Sequence, residues 1–232
     1  MNILAVDTSS KSATVCITKN NKIVAESFCN ASLTHSQTFM SMVEGALSIS
    51  KTNINEIDYF ASTIGPGSFT GLRIGLGAVK AMAQALSKSC VGVSSLEALA
   101  YNFLGYEGII CPVMDARCGQ VYTALFRAEN GKISRLTEDS ALKLEELREL
   151  LPRERIYLVG CGSEITFNAL NSDETLDLIM PLDKDMFLKG SSVANLAREQ
   201  IQSSQNIVPA EQLVPSYLRL PQAQRELLKK QK

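Results

Sequence analysis

The chain has 232 residues, 45% of them hydrophobic, and a net charge of -1. That is enough for one large domain or two small ones with real cores. A balance so close to neutral leaves no global electrostatic footprint for nucleic acid, so any contact with RNA has to be local or borrowed from a partner. Six cysteines, Cys16, Cys29, Cys90, Cys111, Cys118 and Cys161, include no C-x-x-C pair, and several sit in apolar strand-like runs, which reads as a reduced, metal-free interior. The first apolar run, residues 3–6, is too short for a signal sequence, and no later run approaches the length of a membrane span; no membrane segment and a cytoplasmic location are expected.

In chain order, residues 3–6 end in Asp7-Thr8-Ser9-Ser10, residues 13–18 alternate as a strand, and Asn20-Asn21 turns into a third strand over residues 23–28. This is a three-stranded meander. Thr34 with Gln37 three residues on predicts a capping box. In the helix it opens, Phe39, Val43 and Ala46 line one face, flanked by Met40 and Leu47. A strand over residues 57–64 runs into Gly65-Pro66-Gly67-Ser68-Phe69-Thr70-Gly71-Leu72-Arg73-Ile74-Gly75. Glycine lacks Cβ, so this loop permits close approach to its backbone. The free amides at the following helix start suit an anion, while Gly71 and Gly75, one turn apart, suit a second helix docking tightly. That helix, about residues 70–87, carries a core stripe of Leu72, Leu76, Val79, Ala83 and Leu86. Its other side, Gly71, Ile74, Gly75, Ala78, Met82 and Ala85, is small and apolar. A helix apolar on two sides is expected to be buried on two sides. Residues 90–93 give a fifth strand, Ser94 and Glu97 another capping box, and Leu96, Leu99, Ala100 and Phe103 a short helix before a boundary at residues 105–108.

The pattern then returns. Residues 109–114 lead to Asp115, residues 121–126 read as a strand, and Asn130-Gly131-Lys132-Ile133 matches Asn20-Asn21-Lys22-Ile23. A helix over residues 144–151, a strand over 156–159, the turn Gly160-Cys161-Gly162-Ser163, a helix through Leu170 and another over 192–201 follow, with a tail holding Pro209, Pro215 and Pro221. This is an internal duplication: two α/β domains, residues 1–105 and 106–232, each a mixed sheet with helices.

The chemistry the residues offer is narrow. The single histidine, His35, has Phe39 four residues on and belongs to no H-E-x-x-H, so it cannot supply the imidazoles of a catalytic zinc site. No G-x-S-x-G elbow supports a serine triad. The glycine stretch lacks a Walker Lys-Ser or Lys-Thr pair, and Ala85 stands where a ribose-binding acid would be. Asp7 and Asp115, each closing the first strand of a hairpin, could face each other across a cleft and hold phosphate and magnesium. The turns beside them carry glycine only at Gly119, which hinders close backbone approach. From Arg219 on, Arg225, Lys229, Lys230 and Lys232 face only Glu226: a solvated helix tail, or a local contact to phosphate.

Asp7-Thr8-Ser9, His35-Ser36, the glycine stretch, Met114-Asp115-Ala116-Arg117 and Pro215-Ser216-Tyr217-Leu218-Arg219 resemble the TsaB, or YeaZ, family within the actin, hexokinase and sugar kinase superfamily. The resemblance spans nearly the whole chain and is most specific in the glycine stretch. It implies two duplicated actin-like domains and a non-catalytic partner of TsaD and of the ATPase TsaE. That machinery transfers a threonylcarbamoyl group from threonylcarbamoyl-AMP to the adenosine beside the anticodon of tRNAs reading codons that begin with adenine. The catalytic relatives carry an H-x-x-x-H metal pair where this chain has His35 and Phe39, so the resemblance implies no metal and no catalytic residue here. It implies a partner interface over the two N-terminal helices, formed by Phe39, Met40, Val43, Leu47, Gly71, Arg73, Ile74, Gly75, Ala78 and Met82, shared with TsaD or with a second copy when the chain is alone. It implies a vestigial phosphate site at Asp7, Thr8, Ser9, Gly65, Gly67 and Asp115, with no cofactor in the isolated chain and ATP or ADP only in the complex. The alternatives are an ATP-dependent kinase or ATPase of the same superfamily and a glycoprotease-like metallopeptidase.

Overall fold

The structure is a computed structural model that describes residues 1–31 and 34–219. The first half runs β1 (Asn2–Asp7), β2 (Ala13–Lys19), β3 (Lys22–Cys29), α1 (His35–Ile49), β4 (Tyr59–Gly65), α2 (Phe69–Ala85), β5 (Ser89–Ser94) and α3 (Ser95–Ala100). Asn20 and Asn21, both at positive φ, make the predicted turn between β2 and β3. β1 pairs antiparallel with β2 and parallel with β4, and β4 pairs parallel with β5. Alternate residues of β1 face opposite ways: Leu4 and Val6 pack with Phe39, Val43, Leu72, Leu76 and Val79, Ile3 and Ala5 with Leu96 and Leu99. Helices thus cover the sheet on both sides.

The second half repeats the plan through β6 (Gly108–Asp115), β7 (Gln120–Thr123), β8 (Phe126–Glu129), β9 (Lys132–Arg135), β10 (Ser140–Lys143), α4 (Leu144–Leu150), β11 (Arg155–Val159), α5 (Ser163–Leu170) and β12 (Asp177–Ile179). β6 takes the place of β1, antiparallel to β7 and β8 and parallel to β11. The duplication read from the two hairpins is therefore present as a repeated topology. The strand expected over residues 121–126 is instead split. Ala124 and Leu125 are buried between β7 and β8, and Leu125 N–H is held by Thr137 Oγ1 at 2.8 Å rather than by the ladder. β7 thereby pairs with β10 while β8 pairs with β9.

The chain then crosses back. After α6 (Asp183–Met186), α7 (Gly190–Gln202) lies on the first sheet, its Gly190 N–H donating to Thr14 Oγ1 at 3.0 Å, and β13 (Ile207–Pro209) pairs antiparallel with β5. Residues 190–213, placed with the second half by the boundary at residue 105, belong to the first sheet. β5 offers an unpaired edge that β13 covers, and α7 turns Val193, Leu196 and Ala197 into the core under β1 and β5.

Two local expectations need correction. Thr34 caps α1 through its main chain only, Gln37 N–H meeting its carbonyl at 2.9 Å with no side-chain cap. Ser94 does accept from Glu97 N–H at 3.2 Å, but the Glu97 carboxylate is taken by Arg135 at 2.9 Å instead of returning to the cap. Among the described residues no helix is long and apolar enough to cross a membrane.

Candidate functional site

The two halves meet at a cleft of about 400 Å³, walled by Ser9, Ser10 and Lys11 after β1, Gly67 to Thr70 at the start of α2, Asp115 to Arg117 after β6, Cys161 after β11, and residues 216–219. The duplication explains the placement, since equivalent strand ends from each half face one space.

The two aspartates that end β1 and β6 adopt the same local form. Asp7 Oδ1 accepts Ser9 N–H at 3.0 Å, and Asp115 Oδ1 accepts Arg117 N–H at 2.7 Å. Their surroundings differ. Asp115 is exposed on the cleft wall. Asp7 is fully buried behind it, tied to Thr63 Oγ1 at 2.6 Å, and its Oδ2 meets no hydrogen-bond partner among the described residues. Burial pushes the Asp7 carboxyl above the ordinary carboxylate range, against the opposing hydrogen bonds from Ser9 and Thr63.

The glycine stretch is closed from within. A Cβ on Gly67 would collide with the Ser9 main chain, one on Gly71 with the Thr8 carbonyl, and one on Gly75 with Thr8 Oγ1. Thr8 Oγ1 donates to Gly71 O at 2.8 Å, and Ser68 N–H to Ser9 O at 2.6 Å. The close approach that the missing Cβ atoms allow is thus taken by the turn after β1. The fold class implies a nucleotide with magnesium in this cleft, and the first turn does not fit one. Its carboxylate faces inward, and its backbone lies against the α2 start instead of standing free to cradle phosphate. Of the predicted phosphate-site residues, Ser9, Gly67 and Asp115 line the cleft, whereas Asp7, Thr8 and Gly65 lie behind it.

The predicted partner face is likewise divided. Phe39 and Val43 are each 1% exposed, and Gly71 and Gly75 are buried on Thr8, so these four serve the fold of the chain itself. Arg73 is exposed but engaged: its guanidinium lies 4.4 Å over the Phe69 ring and its Nε donates to Tyr217 Oη at 3.1 Å. Of the predicted face, what is left open is Met40, 44% exposed, with half-buried Leu47, Ile74, Ala78 and Met82. The adjoining positions Gly77 and Ala81 are exposed and small.

His35 places Nε2 2.8 Å from Ser10 O, tying α1 to the turn after β1, while Phe39 points into the core. Among the described residues no three His, Cys, Asp or Glu side chains converge as metal ligands. Physical reading of the sequence missed the tail's part in the site: Tyr217 stacks on Phe69 with centroids 4.0 Å apart, and Arg219 Nη1 reaches the carbonyls of Ala116 and Arg117. The signal was the Ser-Tyr-Leu-Arg motif, which has no hydrophobic period to place it. The basic residues Arg225, Lys229, Lys230 and Lys232, with Pro221, lie outside the described residues.

Two repeated α/β halves around a cleft at their strand ends define an actin-like fold. The architecture is shared with the solved YeaZ structure from Pseudomonas aeruginosa, at a TM-score of 0.77 and 24% identity over 94% of this chain and 99% of that one. The family model described as "TsaD: tRNA N6-adenosine threonylcarbamoyltransferase" matches residues 29–227, and the chain belongs to that family. It is 29% identical to the tRNA threonylcarbamoyladenosine biosynthesis protein TsaB of Bacillus subtilis, over all of both chains. It is also 29% identical to the protein of the same name from Escherichia coli K12, over 89% of this chain and 96% of that one.

Proposed function

We propose that the chain is the non-catalytic subunit that, with TsaD and TsaE, supports transfer of the threonylcarbamoyl group from threonylcarbamoyl-AMP to the adenosine beside the anticodon in tRNAs reading codons that begin with adenine. The observation that carries this reading is the end-to-end likeness to a protein named for threonylcarbamoyladenosine biosynthesis. Its non-catalytic character is supported by Phe39, which fills the core at the place where the resemblance puts the second metal-binding histidine. Work is done through the open strip of α1 and α2. Met40 and Met82 are unbranched and adaptable, suited to meeting TsaD in the complex or a second copy when the chain is alone. tRNA is met through the complex, in the cytoplasm, and any ATP or ADP is held there rather than by this chain alone.

Two measurements test it. Threonylcarbamoyl transfer to tRNA, reconstituted with TsaD and TsaE, is expected to require this chain; undiminished transfer in its absence ends the proposal. Ala78→Arg is expected to leave a folded chain that no longer associates, because a long charged side chain cannot enter a close helix contact without desolvation. Association retained by light scattering would remove α2 from the interface. Gly75 is unsuitable for this purpose, since any side chain there strikes Thr8.

A further inference from the structure

Residues 213–219 are anchored at intervals along their length. Lys80 Nζ donates to Leu213 O at 3.0 Å, and Ser216 N–H donates to Ile64 O at 2.7 Å, its own carbonyl seated against Gly65 at φ +128°. Tyr217 then lies flat on Phe69, the planes 15° apart, with its hydroxyl accepting from Arg73. These contacts all belong to the first half. The last one does not: Arg219 Nη1 donates to the carbonyls of Ala116 and Arg117 on the second half. Those carbonyls stand at the start of a left-handed run, Arg117 at φ 61°, Cys118 at 56° and Gly119 at 69°. Their turn is closed by Ala116 N–H to Gln120 O at 3.0 Å, which leaves Ala116 O free for a cation.

We infer that residues 216–219 form a strap that the chain lays along its own cleft, and that the strap holds the two halves together. Tyr217 covers the aromatic face at the α2 start, and Arg219 bridges the opposite wall, so the cleft cannot widen without one of these two anchors giving way. A charged donor on two carbonyls and a stacked ring pair are among the stronger small contacts a surface segment can make.

Cys161 lines the cleft and is half-buried, whereas Cys111 is fully buried in the second-half core. The full-length chain and its Arg219→Ala and Tyr217→Ala variants are treated with iodoacetamide, and alkylation at each cysteine is followed by mass spectrometry. Cys161 is expected to react about tenfold faster in both variants, the factor for losing one charge-assisted bond, with Cys111 unchanged. A Cys161 rate within about twofold of the unaltered chain in either variant, on that same scale, overturns the strap. So does acceleration of Cys111 alongside Cys161, which marks a segment needed merely for folding.

Discussion

Two glycines of one helix should respond to the same substitution with opposite sign. Gly77 is exposed on α2, and nothing stands within 4 Å of where its Cβ would go. Gly77→Ala therefore gains only helix propensity and should stabilise the fold by about 1 kcal/mol. Gly71 lies in the first turn of α2, where a Cβ would fall far inside 3.0 Å of the Thr8 carbonyl, an atom fixed in the backbone at the end of β1. Gly71→Ala must push that turn away, at about 1–3 kcal/mol for overpacking, and weaken the Thr8 Oγ1 bond to Gly71 O, worth about 1 kcal/mol. Less than 1 kcal/mol of propensity returns near a helix start, so the net loss is about 1–3 kcal/mol. Urea unfolding of the unaltered chain and both variants reads the difference as midpoints that move in opposite directions. Equal shifts would mean that the glycine stretch does not press on the turn after β1, and with that the account of why four glycines occur there would fail. Gly75→Ala should fall between the two, because what it meets is the end of the Thr8 side chain, which can rotate aside.

The remaining predictions concern buried and half-buried charge. Asp7 has a raised folded-state pKa, so its contribution to stability is fully present below the unfolded carboxylate range and is lost as pH rises through the folded value. Asp7→Asn keeps the acceptor for Ser9 and Thr63 without the ionisation, so its stability relative to the unaltered chain should improve as pH is raised from about 4. A difference that is flat, or that falls with pH, would show Asp7 ionised at no cost. Arg135 joins the halves away from the cleft, at 2.9 Å to Glu97 and 2.6 Å to Asp139, which in turn accepts Ser94 Oγ at 2.6 Å. Arg135→Ala should cost about 1–3 kcal/mol in urea, since the carboxylates left behind are only 26% and 19% exposed. An unchanged midpoint would reduce this cluster to an ordinary surface pair.

The elements were legible where a period carried them. The β1–β3 meander, the α2 core stripe and the repeated aspartate-hairpin plan follow from alternation, turn residues and i, i+4 spacing, and each appears in place. The return of the chain to the first sheet was not legible: Ile207, Val208 and Pro209 form too short a run to signal a strand, and only the open edge of β5 decides where it goes. The glycines carried a true message with the recipient left open. A missing Cβ states that something comes close, and the sequence offered an anion or a second helix, yet the neighbour is Thr8 and Ser9 of the same chain. For the same reason the interface expected over α1 and α2 narrows: small residues at helical spacing look alike whether they face a partner or a turn, and of that second face Gly71 and Gly75 are taken by the turn while Ile74, Ala78, Met82 and Ala85 remain open.

The duplicated halves, compared turn by turn, differ in what lies against each turn. Both aspartates hold the amide two residues on, so the same backbone turn closes the first strand of each half. In the first half α2 has closed onto that turn, Ser68 N–H donating to Ser9 O and Gly71 O receiving Thr8. In the second the turn is intact and exposed, but its carbonyls are engaged by Arg219 from the tail. One turn is thus packed against its own helix while the other is tethered to the tail. Away from the cleft, along the strip from Met40 to Met82, apolar side chains stay half-exposed beside positions too small to fill the space themselves.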